Sequence, residues 1–224
     1  MSARRRVVAA GVLVAVVSVL ILHVAGRAGA NGDRCDRFAG DSVARAATVT
    51  GAGQRVVVIG DSWSAGLGLD QPGSSWPSRL PGAVHVAGFS GSGFSAHASE
   101  CAAVSFADRA PKALRGGADL VVVEGGLNDY DQPDADIRAG FARLMKDLAG
   151  QRVVVVGPAM APSRAAEVPH VDRLLESLAA SYDVGYVRTS GLHLPYLDDE
   201  LHLTPAGHQQ FGDFVAEQIA ALTT

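Results

Sequence analysis

Five short valine-rich runs, Arg55–Ile59, Ala83–Ala87, Leu120–Glu124, Arg152–Val156 and Val184–Val187, constrain this chain more than any other feature of its sequence. Each is too short for a buried helix and rich in β-branched residues, which suits a pleated strand. Stretches such as Val56-Val57-Val58 and Val121-Val122-Val123 do not alternate with polar residues, so both faces of these strands must be covered. Between and after the runs lie helical patterns at Ile137–Leu148, Val168–Tyr182 and Pro205–Leu222. Strands covered on both faces and separated by helices predict an α/β fold with a parallel sheet between helical layers. The last helix has the clearest start, with Thr204 able to cap its first turn and Pro205 suited to its first position.

The stretch before the first strand reads differently. Residues 1–30 hold Arg4, Arg5, Arg6 and Arg27 but no acid, and an uncharged apolar stretch runs from Val7 to Gly26. A basic cluster followed by such a run predicts export, with the body placed across the membrane. Twenty apolar residues suffice to span a bilayer, while Ala28-Gly29-Ala30 offers a small-x-small cleavage site, so both a signal peptide and a retained anchor fit. Residues 31–53 lack firm periodicity and read as a linker and docking arm, leaving residues 54–224 as the single folded domain.

Removing those four arginines leaves 15 of the chain's 19 basic residues against all 23 acids. A body of that charge repels phosphate backbones and anionic headgroups, which argues against a nucleic-acid partner and limits any membrane association to the N-terminal segment. The chain has two cysteines, Cys35 and Cys101, and in an oxidising compartment they are expected to form a disulfide. His85, His97, His170, His193 and His208 fall in no zinc-binding spacing, so no metal is expected.

The polar residues that follow the strands carry the chemistry. The first strand runs into Gly60-Asp61-Ser62-Trp63-Ser64-Ala65-Gly66, placing a serine hydroxyl just past the carboxyl end of a strand, where open α/β sheets put their sites. The second leads into Gly88-Phe89-Ser90-Gly91-Ser92-Gly93, a loop able to bring a backbone amide close to a ligand. The third ends in Gly125-Gly126-Leu127-Asn128-Asp129, whose side-chain amide can donate to a developing negative oxygen. After the fifth comes Asp198-Asp199-Glu200-Leu201-His202, in which a carboxylate can hold the imidazole in one tautomer. Taken singly, each is also an ordinary turn or cap. Together they fall in register on one rim of the predicted sheet.

These four ordered blocks resemble those of the SGNH/GDSL hydrolase family over about residues 55–215. The resemblance implies a three-layer α/β/α sandwich, flavodoxin-like, with five parallel strands in order 2-1-3-4-5. It implies Ser62 as nucleophile, His202 as base and Asp199, rather than its neighbour Asp198, as the orienting carboxylate. The backbone amides of Ser62 and Gly91 with the side chain of Asn128 would form the oxyanion hole. Trp63 stands where the family name has leucine and is expected to wall the substrate pocket. The implied function is hydrolysis of small-molecule, lipid or sugar esters by an exported serine esterase that needs no cofactor. The alternative is a non-catalytic glycan- or lipid-binding module presenting Trp63 and Trp76 as platforms. A nucleotide binder fits poorly, because Asp61 would oppose a phosphate at the first turn.

Overall fold

The computed structural model describes residues 30–222, so the basic and apolar segment through residue 29 lies outside the described residues. Among the described residues no helix is long and apolar enough to cross a membrane. The chain divides into two compact units, residues 1–37 and Phe38–Thr224. Of the first, residues 30–37 are described, and they are helical. Both cysteines are disulfide-bonded, as the sequence led us to expect.

The second unit opens with helical residues 38–46 (α1), where the sequence reading placed an irregular arm. The helix escapes an apolar-periodicity search because its one fully buried side chain is Arg45, whose guanidinium donates to Ser75 Oγ at 3.2 Å and to the Thr48 carbonyl at 2.9 Å. A single sheet follows, built from β1 (Arg55–Gly60), β2 (Ala83–Gly88), β3 (Leu120–Glu124), β4 (Val153–Val156) and β5 (Gly185–Val187). All neighbours pair in parallel, in the order β2-β1-β3-β4-β5. The predicted strands are all present, with ends shifted by at most one residue.

The valine runs have the physical role their lack of alternation suggested. Val57, Ile59, Val121, Val123, Val153 and Val155 face one core, packed by α3 (Phe106–Ala113), α4 (Asp134–Asp147) and α5 (Val168–Ser181). Val56, Val58, Val122, Val154 and Val156 face the other, closed by α6 (Pro205–Leu222) with Trp63, Trp76 and Phe211. Each such side chain, once fully buried, stabilises the fold by about 1.5–3 kcal/mol relative to exposure. The product is the three-layer α/β/α sandwich.

Helix α3 was not foreseen, since Pro111 sits inside it and breaks the helical pattern. Its start is nevertheless written locally as a capping box. Ser105 Oγ accepts from Asp108 N, and the Asp108 carboxylate accepts from Ser105 N at 3.0 Å. At the other end of the chain, Thr204 Oγ1 accepts from Gly207 N at 3.1 Å, the cap anticipated for α6.

Candidate active site

Gly60 ends β1, and the chain turns at once into α2 (Ser62–Ala65), a single helical turn. So short a helix does not hold itself together, because one turn fixes several dihedrals for one hydrogen bond. Its surroundings hold it. Asp61 caps it by accepting from Trp63 N at 2.9 Å, and Gly66 closes it in the left-handed conformation at φ 80°. Beneath it, Ser64 Oγ donates to Glu124 Oε2 at 2.7 Å and Trp76 Nε1 donates to Ser64 Oγ at 3.1 Å. Ser75 Oγ donates to the Ser64 carbonyl at 3.0 Å. Gly88 is required by close approach, since a Cβ there would lie 2.6 Å from Ala65 N.

The imidazole comes from a hairpin-like turn ahead of α6. Tyr196 bridges Leu203 in antiparallel fashion, and Leu197 N donates to the His202 carbonyl at 2.7 Å. Within the turn Asp199 Oδ1 accepts from Leu201 N at 3.0 Å and His202 N at 2.9 Å, while Asp199 Oδ2 lies 2.5 Å from His202 Nδ1. That contact places the proton on Nδ1 and leaves Nε2 as an acceptor. His202 Nε2 stands 3.1 Å from Ser62 Oγ, across 140 residues of chain. Desolvation works against the Asp199 charge, but the hydrogen bonds from the His202 ring and from the amides of His202 and Leu201 outweigh it and draw its pKa down to about 2. Asp198, the other candidate, makes no hydrogen bond to His202 among the described residues.

Two further segments complete the rim. Gly91 adopts φ 79°, a left-handed conformation that favours glycine, in the turn closed by Ser92 N donating to the Phe89 carbonyl. Asn128 lies in a 3-10 turn (Leu127–Asp129) that begins at Gly126, φ 118°. Its Nδ2 donates to the Ser92 carbonyl at 2.9 Å and, at a longer 3.3 Å, to Asp61 Oδ2. The structure thus joins the serine turn to the imidazole, and the asparagine to both the serine turn and the glycine loop.

Trp63 is a correction. Expected to wall a substrate pocket, it is only 1% exposed, packed edge-on against Phe211 with ring centroids 5.2 Å apart, and its Nε1 donates to the Leu201 carbonyl at 3.1 Å. An indole at this position prefers the second core because α2 turns its second residue back toward α6. Trp76 is likewise fully buried, so neither ring can serve as a binding platform.

Sequence reasoning also missed the buried ionisable groups under the rim. Asp129 accepts from Phe94 N at 3.0 Å and Ser95 N at 2.7 Å, stitching the third block to the glycine loop. Desolvation lifts its pKa to about 6 despite those amides. Glu124 is raised to about 7 by desolvation, opposed by Ser64, Trp76 and the Asp61 amide. Asp61 is raised well above its ordinary value by desolvation and by Glu124. Arg109 donates to the carbonyls of Gly60 at 2.9 Å and Ala87 and to Ser92 Oγ at 2.8 Å, tying both strand ends to the loop. Position 129 was visible as part of an Asn-Asp pair. Nothing local marks Glu124 or Arg109, because their partners are distant in sequence.

The arrangement can activate a hydroxyl: a tautomer-fixed imidazole faces it, with amide donors nearby. The model of the GDSL-like lipase/acylhydrolase family matches residues 58–210, which contain all of these side chains. No curated protein matches the chain in sequence. Among solved structures, an aryl esterase from M. smegmatis superposes with a TM-score of 0.63 at 22% identity, covering 76% of this chain and 100% of that one. A carbohydrate acetylesterase from Sinorhizobium meliloti gives 0.62 at 20% identity, with the same coverage of each chain. A family two carbohydrate esterase from Clostridium thermocellum, in complex with cellohexaose, gives 0.59 at 14%, covering 78% of this chain and 66% of that one. At these identities the likenesses establish the fold.

Proposed function

The chain belongs to the GDSL-like lipase/acylhydrolase family, and from that premise we propose that it hydrolyses acyl esters outside the cytoplasm through an acyl-enzyme formed on Ser62. The observation that carries this reading is the 3.1 Å approach of His202 Nε2 to Ser62 Oγ, with Asp199 on the far side of the ring. As Oγ attacks the ester carbonyl carbon, its proton passes to Nε2, and the imidazolium is balanced by the carboxylate of Asp199. The carbonyl oxygen becomes an oxyanion held by the backbone amides of Ser62 and Gly91 and by Asn128. For Asn128 the longer hydrogen bond, toward Asp61, is the one exchanged. Collapse expels the alcohol, which takes its proton from His202, and water repeats the sequence to release the acid.

The substrates we propose are esters of sugars, aryl alcohols or lipids. Carbohydrate and aryl esterases share this architecture, and a body with excess acid favours uncharged alcohols over phosphorylated ones. Export is supported by the Arg4-Arg5-Arg6 cluster ahead of an apolar run and by two disulfide-bonded cysteines. The body acts as one domain that includes α1, whose Arg45 is buried against Ser75, with residues 1–30 as signal peptide or anchor. The burial of Trp63 and Trp76 disfavours the non-catalytic binding module.

Protein freed of residues 1–30 should hydrolyse p-nitrophenyl acetate and take a fluorophosphonate label at Ser62. Ser62→Ala should lose the label and about 10⁴-fold or more in kcat. Turnover undiminished in that variant would overturn the proposal. A chain-length series of nitrophenyl esters, run beside acetylated sugars, separates short-acyl from lipid substrates.

A further inference from the structure

The turn that carries His202 is a strained and slender support. Glu200 at its tip adopts φ 55°, a left-handed conformation uncommon for a residue with a side chain. Such a turn keeps its shape only where the body over-determines it. Two carbonyls of the turn are held by the body. Glu200 O accepts from Ser163 N at 3.1 Å and Ser163 Oγ at 3.0 Å, and Leu201 O accepts from Trp63 Nε1 at 3.1 Å.

The second anchor has a particular geometry. Ser62 and Trp63 are consecutive on α2, and Leu201 and His202 are consecutive on the turn. Ser62 meets His202 while Trp63 meets Leu201, so two adjacent residues on one side grip two adjacent residues on the other. Asp199 orients the ring within its own turn, but the serine–imidazole contact alone does not fix that turn relative to α2. A second contact one residue along removes that freedom and sets both distance and angle. The indole is itself immobilised, edge-on to Phe211 of α6 at 5.2 Å and tilted against Tyr196, the stem of the same turn, at 6.2 Å. A leucine at position 63 would have no N–H to donate.

We infer that Trp63 is a positioning residue, whose indole N–H bound to the Leu201 carbonyl locks the His202 turn against the nucleophile turn. This rests on the reading of Ser62 and His202 as the reacting pair. The role predicts a loss confined to the chemical step, because misplacing a reacting group by about 1 Å can cost roughly 10²-fold while substrate binding is spared.

The test replaces Trp63 in the full chain by 3-benzothienylalanine, which keeps the ring's shape and exchanges N–H for sulfur, alongside Trp63→Phe. With p-nitrophenyl acetate, kcat should fall about 10-fold or more and KM stay within about twofold. The rate of fluorophosphonate labelling at Ser62 should fall in parallel. A role in core packing alone would leave the benzothienyl protein at wild-type kcat and labelling rate, and that result overturns the inference. Should Trp63→Phe fail to fold, the isosteric variant decides the matter. The two readings fail separately: hydrolysis that survives in Ser62→Ala sinks the serine mechanism, whereas an inactive Ser62→Ala beside a fully active benzothienyl protein sinks only the strut.

Discussion

Asp199 shows how little separates a surface carboxylate from a functional one. It is about half exposed, with 49% of its side-chain surface accessible, yet three donors from its own turn converge on it. Its pKa of about 2 lies below the ordinary 3.8, so whatever stability its charge contributes is present above pH 4 and is lost as pH falls through about 2. The carboxylate is therefore ionised throughout the working range. Asp199→Asn keeps the shape but removes the charge and the tautomer control. Where such a carboxylate is buried, the exchange costs about 10⁴-fold in kcat; at this exposed site solvent screens the charge, and a loss of roughly 10²-fold is expected from initial rates. Asp198→Asn, at a residue with no hydrogen bond to His202 among the described residues, should leave kcat unchanged and serves as the control.

At the scale of elements, the serine turn is buried along its whole length and held by its neighbours. A one-turn helix is positioned by what approaches it, and one close backbone approach comes from the end of β2. In Gly88→Ala the new Cβ would meet Ala65 N at 2.6 Å and Ala65 Cα at 2.8 Å. Both are backbone atoms, so α2 has to shift as a body. The expected outcome is a destabilisation of about 1–3 kcal/mol in urea unfolding, with a fall in kcat because Ser62 moves with the turn. Gly91→Ala differs in kind: its Cβ would find Ser99 Oγ no nearer than 3.8 Å, and the cost there comes from φ 79° alone. The legibility of these elements was uneven. The valine strands announced themselves through composition, and α6 through Thr204 and Pro205. Helix α3 was hidden by Pro111, and α1 by an inward face that carries an arginine.

For the molecule as a whole, the rim of the sheet rests on three buried acids, Asp61, Glu124 and Asp129, each raised by burial. Glu124 holds its proton up to about pH 7 when folded and to about 4.5 when unfolded, so between those values the native state carries the extra proton. Stability from this group is therefore full below about 4.5 and declines as pH rises toward 7. His208 works the other way. Burial first, and then His202, lower it from 6.5 to about 4, so protonation of the unfolded chain erodes stability as pH falls through that window. The two trends oppose each other, and a thermal scan of the wild type alone conceals both. Glu124→Gln isolates one: its melting temperature relative to wild type should climb between pH 5 and pH 8. A difference that stays flat across that range would mean that Glu124 does not change charge there.

The amino-acid order by itself determined the layered α/β plan and the residue types at the strand ends. Strand formation and burial on both faces depend on short-range composition, and turn residues declare themselves within a few positions. Which of those residues touch, and which face the core, was decided by tertiary structure alone. The direction of Trp63 depends on Phe211 and Leu201, more than a hundred residues away, and the burial of Glu124 depends on Ser64 and Trp76. Contacts of that separation leave no periodic trace in the chain, because they arise only when the packed layers bring distant turns to the same edge.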